Sequence, residues 1–243
     1  MSEEARLRRK IALVCARLYD RGLIAGQDGN VSVRLDARRL LVTPAGLTKV
    51  DVTPDSLLVL SLDGAIVERA RLDVSLRPTT EIGMHLRIYA RRPDVRAVVH
   101  AHPPVATGFA VAGEDFLAGV LPEIIFQMGG VPLVPYATPG TPAVAEVLDP
   151  YLDRYDGYLL ASHGATTVGP TLTVAHQRME SLEHAARIIF TARRLGRVNE
   201  LSAVQANELS AARAATGVAP SAAPSRGGAV GPASSTARGG RSA

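Results

Sequence analysis

Two apolar runs, residues 57–62 and 65–69, flank the dipeptide Asp63-Gly64. An Asp-Gly pair between such runs fits the two-residue turn that closes an antiparallel hairpin, because both positions tolerate the positive φ that the turn demands. This excludes a sheet that is parallel throughout. The pattern repeats upstream. Val31-Ser32-Val33-Arg34-Leu35 alternates with the period of a half-buried strand. Leu40-Leu41-Val42-Thr43 can return beside it, and Pro44-Ala45-Gly46 turns the chain away. The first third is therefore expected to be antiparallel.

Helical periods surround these strands. Leu7, Ile11, Val14 and Leu18 recur at steps of four, three and four, and predict a helix over residues 2–20. Pro78-Thr79-Thr80-Glu81 reads as a helix start, with Thr79 or Thr80 as the cap and Glu81 in the first turn. Residues 95–102 read as a buried strand that Pro103-Pro104 stops before a helix reaching Ala112. Thr141-Pro142 opens a helix to about Leu152, residues 158–161 form a second short buried strand, and a long helix covers 173–195.

Composition decides what these elements pack with. Hydrophobic residues make up 47% of the 243 positions, aromatics only 4%, and Trp is absent, so the core rests on Leu, Val, Ile and Ala. Strands and helices with such a core fit an α/β or α+β protein, and α/β is the expected class. From about residue 203 the chain turns to Ala, Gly, Ser, Pro and Arg, so residues 203–243 are expected to form a disordered tail behind a domain at 1–202. Arg213, Arg226, Arg238 and Arg241, all after residue 210 and with no Asp or Glu beside them, account for the net charge of +4 and leave the rest of the chain formally neutral. A nucleic-acid partner is not expected, since it would need a clustered basic face. The single cysteine, Cys15, lies on the first helix's apolar stripe and reads as a core residue. With no disulfide possible and no apolar run long enough for a membrane, the expectation is a soluble cytoplasmic protein.

The chemistry concentrates in a few positions. In His100-Ala101-His102, residues two apart on a strand project to one side, so both imidazoles can face one cation. His163 ends another predicted strand, beside Gly164. Three protein ligands with an open position are a common catalytic zinc arrangement. Glu81 is the candidate acid/base; taken alone it also reads as a glutamate capping a helix's first turn. Gly29-Asn30 can form an anion-cradling nest or a plain turn. The histidines His85, His176 and His184 fall inside predicted helices and read as packing or surface residues.

Taken in order, Gly29-Asn30-Val31-Ser32-Val33-Arg34, Val42-Thr43-Pro44-Ala45-Gly46, Thr79-Thr80-Glu81, His100-Ala101-His102, Tyr136-Ala137-Thr138-Pro139-Gly140-Thr141 and Ser162-His163-Gly164 resemble the class II aldolase/adducin family over roughly residues 5–200. The resemblance implies a three-layer αβα sandwich around a mostly antiparallel central sheet. It implies a homotetramer with active sites at subunit interfaces. It assigns Zn2+, or another divalent metal such as Mn2+ or Co2+, to His100, His102 and His163, and the acid/base role to Glu81. It assigns a phosphate cradle to Gly29, Asn30, Gly46, Thr79 and Thr80. The implied activity is that of a lyase, an aldolase cleaving a phosphorylated ketose through an enediolate. A 4-epimerase, a decarboxylase and a methylthioribulose-phosphate dehydratase are the alternatives, and a non-catalytic adducin-like scaffold has no use for the metal residues. Ala45 stands where sugar-phosphate aldolases usually offer a hydroxyl, Pro139 where the fuculose-type enzyme carries an aromatic, and Leu121-Pro122-Glu123 where that enzyme offers a tyrosine. Glu123 is thereby a candidate second acid/base.

Overall fold

A computed structural model describes residues 1–115 and 119–217 of the chain. The first helix, α1 (Glu3–Asp20), is capped by Ser2, whose hydroxyl accepts from the Ala5 amide. It buries Ile11, Val14, Cys15 and Leu18, the stripe expected from the sequence. Burial pushes the Cys15 thiol up to about 12, which leaves it an unreactive core group. Strands β1 (Asn30–Arg34) and β2 (Arg39–Val42) pair antiparallel, followed by β3 (Leu58–Ser61) and β4 (Ile66–Glu68). The β3–β4 turn carries Gly64 at φ +91°, a conformation that an L side chain resists.

Next come α2 (Ile82–Arg91), β5 (Ala97–Ala101), α3 (Pro104–Ala112), α4 (Pro122–Met128) and β6 (Leu133–Val134). They are followed by α5 (Pro142–Leu152), β7 (Gly157–Leu160), β8 (Gly164–Gly169), α6 (Leu172–Leu195) and α7 (Ala203–Ala215). The strand order is β4-β3-β2-β1-β5-β8-β7-β6, and every pairing is antiparallel except β6 with β7. Side-chain alternation splits the core in two. Val31, Val33, Ala97, Val99 and Ala101 face α1, α3, α4 and α6. Leu40, Val42, Leu58, Leu60 and Val98 face α2 and α5. The result is the expected three-layer αβα sandwich. Among the described residues, no helix is long and apolar enough to cross a membrane.

One boundary differs from expectation. The segment beginning at residue 203 was expected to lack structure, but α7 is a helix over Ala203–Ala215. Its alanines, unremarkable as core formers, are the strongest intrinsic helix formers. Ser202 and Gln205 close a reciprocal capping box at its start. Arg213 then anchors the helix, its Nη2 donating to Asp156 Oδ2 at 2.6 Å. Asp156 also takes Arg92 Nη2 at 2.9 Å and Arg178 Nη2 at 2.9 Å, so one buried carboxylate gathers three buried guanidinium groups. The expectation for residues 218–243 lies outside the described residues.

Candidate metal centre

The site forms where β5 ends. His100 is fully buried in β5, between Asn30 of β1 and Thr166 of β8 in the sheet register. Its Nδ1–H donates to the Ala165 carbonyl at 2.9 Å, with Thr166 Oγ1 at 3.1 Å. A carbonyl only accepts, so the His100 proton is on Nδ1 and the Nε2 lone pair faces the site. His102 lies one residue past the strand, its amide donating to Leu23 O. The two rings nonetheless converge as expected, with the Nε2 atoms 3.2 Å apart. Pro103-Pro104 starts α3 immediately after, and the buried Glu183 carboxylate accepts from the Val105 and Ala106 amides there. That bond satisfies free N–H groups of the helix start and anchors the chain that carries His102.

His163 reaches the same point from the β7–β8 turn. Ser162 before it holds φ +55°, the one non-glycine positive φ among the described residues. Such a conformation costs about 1 kcal/mol or more and is tolerated where the surroundings fix it. The His163 ring centroid is 4.7 Å from His100 and 5.0 Å from His102. One nitrogen from each of the three rings lies within 4.8 Å of the others.

Glu81 closes the group. It is not in the first turn of α2 behind a threonine cap, as the sequence suggested, but occupies the cap position itself, with no capping bond from its side chain. Thr79 takes a local role instead, its hydroxyl accepting from the Glu81 amide at 3.3 Å. The carboxylate is thus free to turn inward. Oε2 accepts from Asn30 Nδ2 at 2.8 Å and lies 3.3 Å from His100 Nε2. Oε1 is 3.1 Å from His163 Nε2, yet is buried without a well-formed hydrogen bond.

This donor set fits a divalent cation. Burial, followed by the charges of His163, His102 and His85, holds His100 well below the usual imidazole range. Burial also lowers His163, against the pull of Glu81. Neutral imidazoles with inward lone pairs are the form that a metal takes. Tetrahedral zinc with bonds of about 2.0–2.1 Å separates ligand atoms by about 3.3 Å, close to the 3.2 Å between the Nε2 atoms of His100 and His102. The orphaned Glu81 oxygen lies beside the same group, 3.1 Å from His163 Nε2. Asp28 Oδ2 stands 3.5 Å from His102 Nδ1, placed to orient that ring from behind.

The residues expected to cradle phosphate fall at the start of β1, after β2 and just before α2. Gly29 sits at φ +72°, and a Cβ there would lie 2.7 Å from the His100 carbonyl oxygen, so only glycine lets this loop approach β5. Asn30 spends its carboxamide on Glu81 and His85. The segments of Gly46 and Thr79 are joined by Thr79 N to Thr43 O and Ala45 N to Arg77 O. The buried Lys49 ties the neighbouring loops together, its ammonium donating to Gln27 O at 2.8 Å and Leu47 O at 3.1 Å. Thr80 and Glu81 line a cleft with Gly140 and Thr141. Glu123 is exposed in the first turn of α4, and no described contact joins it to the triad. His85 is not on the surface: it is fully buried and hydrogen-bonded behind Glu81. The spacing Glu81, His85, Tyr89 along one helix face, and Asn30, Ser32 along one strand face, is the signal that marks this second layer.

Comparison with known proteins agrees with this geometry. Residues 9–190 match the family described as the class II aldolase and adducin N-terminal domain. A 3-oxo-tetronate 4-phosphate decarboxylase of Pectobacterium atrosepticum is 32% identical over 194 residues, covering 78% of this chain and 86% of that protein. An L-fuculose phosphate aldolase of Methanococcus maripaludis is 32% identical over 175 residues, covering 72% and 91%. The crystal structure of YgbL from Escherichia coli superposes with a TM-score of 0.78 at 29% identity, covering 86% of this chain and 99% of that one. With its sandwich, its three converging imidazoles and a match that spans most of its length, this chain belongs to the class II aldolase and adducin N-terminal domain family.

Proposed function

We propose that the chain is a divalent-metal-dependent lyase that breaks a carbon–carbon bond next to the ketone of a phosphorylated sugar acid, releasing carbon dioxide. The observation that carries this reading is Glu81 Oε1, a buried carboxylate oxygen without a well-formed hydrogen bond, 3.1 Å from His163 Nε2 in the group of three converging imidazoles. His100, His102 and His163 would hold the metal, with zinc the first choice and manganese or cobalt the alternatives. When bound, such an ion supplies Lewis-acid stabilisation of the negative charge that develops on the substrate's oxygens.

The chain's own residues do the rest. In a 3-oxo acid the bond from C2 to the carboxylate carbon breaks, its electron pair moves toward the C3 ketone, and carbon dioxide departs. Glu81, protonated on Oε1, delivers that proton to C2, giving a ketose phosphate, and takes up a replacement proton from solvent before the next turnover. General acid catalysis of this kind contributes about 100- to 10,000-fold. Gly29, Asn30, Gly46, Thr79 and Thr80 form the region that holds the substrate's phosphate, and its binding energy positions the reacting carbons. Decarboxylation is favoured over aldol cleavage because it needs one proton on carbon and none removed from a second hydroxyl, a task within reach of Glu81, the carboxylate set against both His100 and His163. The relatives named for 3-oxo-tetronate 4-phosphate decarboxylation support the same choice. Aldol cleavage of a ketose phosphate is the second reading, supported by the fuculose phosphate aldolases among the relatives. A homotetramer with sites at subunit interfaces belongs to the proposal, and light scattering on the purified chain checks it.

The test is a metal-reconstituted assay for carbon dioxide from 3-oxo-tetronate 4-phosphate, with a parallel assay for aldehyde from fuculose 1-phosphate. Glu81→Gln should retain one metal per chain and lose about 100-fold or more of turnover. Full turnover in that variant, or a carefully purified chain that binds no stoichiometric divalent metal, would refute the proposal.

A further inference from the structure

Behind Glu81 runs a chain of buried hydrogen bonds whose direction can be read atom by atom. Glu81 Oε2 only accepts, both in the ionised carboxylate and when the carboxyl proton sits on Oε1, so the Asn30 group 2.8 Å from it is its NH2. The Asn30 Oδ1 therefore faces His85 Nε2 at 2.6 Å, and that nitrogen must carry the proton. With Nε2 protonated on a neutral ring, Nδ1 is a lone pair and accepts from Ser32 Oγ at 2.7 Å. Ser32 Oγ then accepts from Tyr89 OH at 2.9 Å. Each donor is forced by the bond before it, and the chain points from Tyr89 to Glu81. Burial pushes His85 down to about 4, against the opposing charge of Glu81, so the ring stays neutral at pH 7. The scaffold is rigid. His85 and Tyr89 lie one and two turns beyond Glu81 on α2, while Asn30 and Ser32 share one face of β1.

We propose that His85, as its neutral Nε2–H tautomer, is a positioning residue for the reaction: through Asn30 it aims the Glu81 carboxylate, holding Oε2 and leaving Oε1 for the substrate's proton. Without the His85 donor the Asn30 carboxamide can rotate, present its oxygen to Glu81 and push the carboxylate away. The inference rests on the proton-transfer role proposed above for Glu81. It goes beyond that role in assigning a task to a residue that touches neither substrate nor metal.

Two measurements test it. Nitrogen-15 NMR of the labelled, metal-loaded full chain at pH 7 should show His85 protonated on Nε2 and unprotonated on Nδ1. The opposite tautomer or an imidazolium would overturn the proposal, whatever the protein's activity. Steady-state kinetics then compare His85→Met with His85→Gln, whose amide can still donate to Asn30. The Met variant should keep one metal per chain and a KM within about twofold while kcat falls about 10- to 100-fold, the range seen for residues that orient a site from behind. The Gln variant should recover most of that kcat. Equal losses in both variants, or no loss in a folded Met variant, would reduce His85 to packing. If the wild-type chain turns over none of the phosphorylated substrates, the proposed function fails, and the tautomer measurement alone decides whether the chain of bonds runs as described.

Discussion

Gly164 is the place where one added methyl group should take the metal site apart without unfolding the protein. Its φ is not positive, so alanine meets no backbone penalty there. The obstacle is steric: a Cβ would lie 2.5 Å from His102 Cδ2, 3.2 Å from His102 Nε2 and 2.7 Å from the Ala101 carbonyl oxygen. Carbon atoms pack at about 3.5–4.0 Å, so the imidazole must retreat by about 1 Å. The Ala101 carbonyl sits in the β5–β8 ladder, so the backbone there gives by only a few tenths of an ångström, at a cost in stability, and most of the movement falls on the ring. Metal–nitrogen distances tolerate about 0.2 Å, so a 1 Å retreat removes His102 as a ligand. Gly164→Ala should thus lower zinc affinity about 100-fold or more, against an overpacking cost of about 1–3 kcal/mol in stability. Chelator competition measures the affinity, and urea unfolding of the metal-free chain measures the stability. Gly22→Ala is the control. It has φ +66° and open space around the new methyl, so it should cost about 1 kcal/mol from strain and leave zinc affinity unchanged. Wild-type affinity in a folded Gly164→Ala variant would refute the role given to His102.

Three further outcomes follow from the buried charges and rings. Asp156→Asn should destabilise the chain by about 3–5 kcal/mol, because Arg178 and Arg213 would lose the counter-charge described for them and Arg92 would keep only the more exposed Asp94; the urea midpoint reads this directly. His85 binds its proton more weakly folded, at about 4, than unfolded, near 6.5. Its contribution is therefore fully present above pH 6.5 and is lost as pH falls toward 4, at about 1.4 kcal/mol per pH unit. Metal-free chain should lose about 2 kcal/mol from this residue between pH 7 and pH 5, and His85→Gln should show a shallower fall. Ser162→Gly should relieve the φ +55° conformation before His163, raising thermal stability slightly or leaving it level, since glycine occupies that region without strain. A clear loss in calorimetry would show that the Ser162 side chain itself supports the turn.

Much of this was legible in the residue pattern, and the failures have physical causes. Asp63-Gly64 announced the β3–β4 hairpin because turn chemistry is local. His100 and His102 announced a shared centre because strand geometry aligns alternate side chains, although the strand in fact ends at Ala101. Strand β8 escaped notice because Gly-Ala-Thr-Thr-Val-Gly carries little hydrophobic signal. Its burial is bought by hydrogen bonds instead, with Thr167 Oγ1 donating to Ala175 O at 2.8 Å and Thr166 beside His100. Helix α7 was misread because a composition typical of tails also has strong helix propensity, and the decisive partner, Asp156, lies 57 residues away. Glu81 was found, but its orientation depends on Asn30 and His85, contacts across 51 and 55 residues that no local pattern encodes.

The three imidazoles differ in how they are tethered, which under the proposed metal role sets the route by which an ion would enter and leave. His100 is locked between two neighbouring strands in the middle of an eight-stranded sheet, so its backbone yields only when the whole molecule opens. His102 and His163 hang from connecting segments just beyond strand ends. On the proposed metal role, an ion leaving the native protein would be released first by the loop-borne rings while His100 stays in place, and reloading would begin at His100, whose lone pair requires no ordering of the chain.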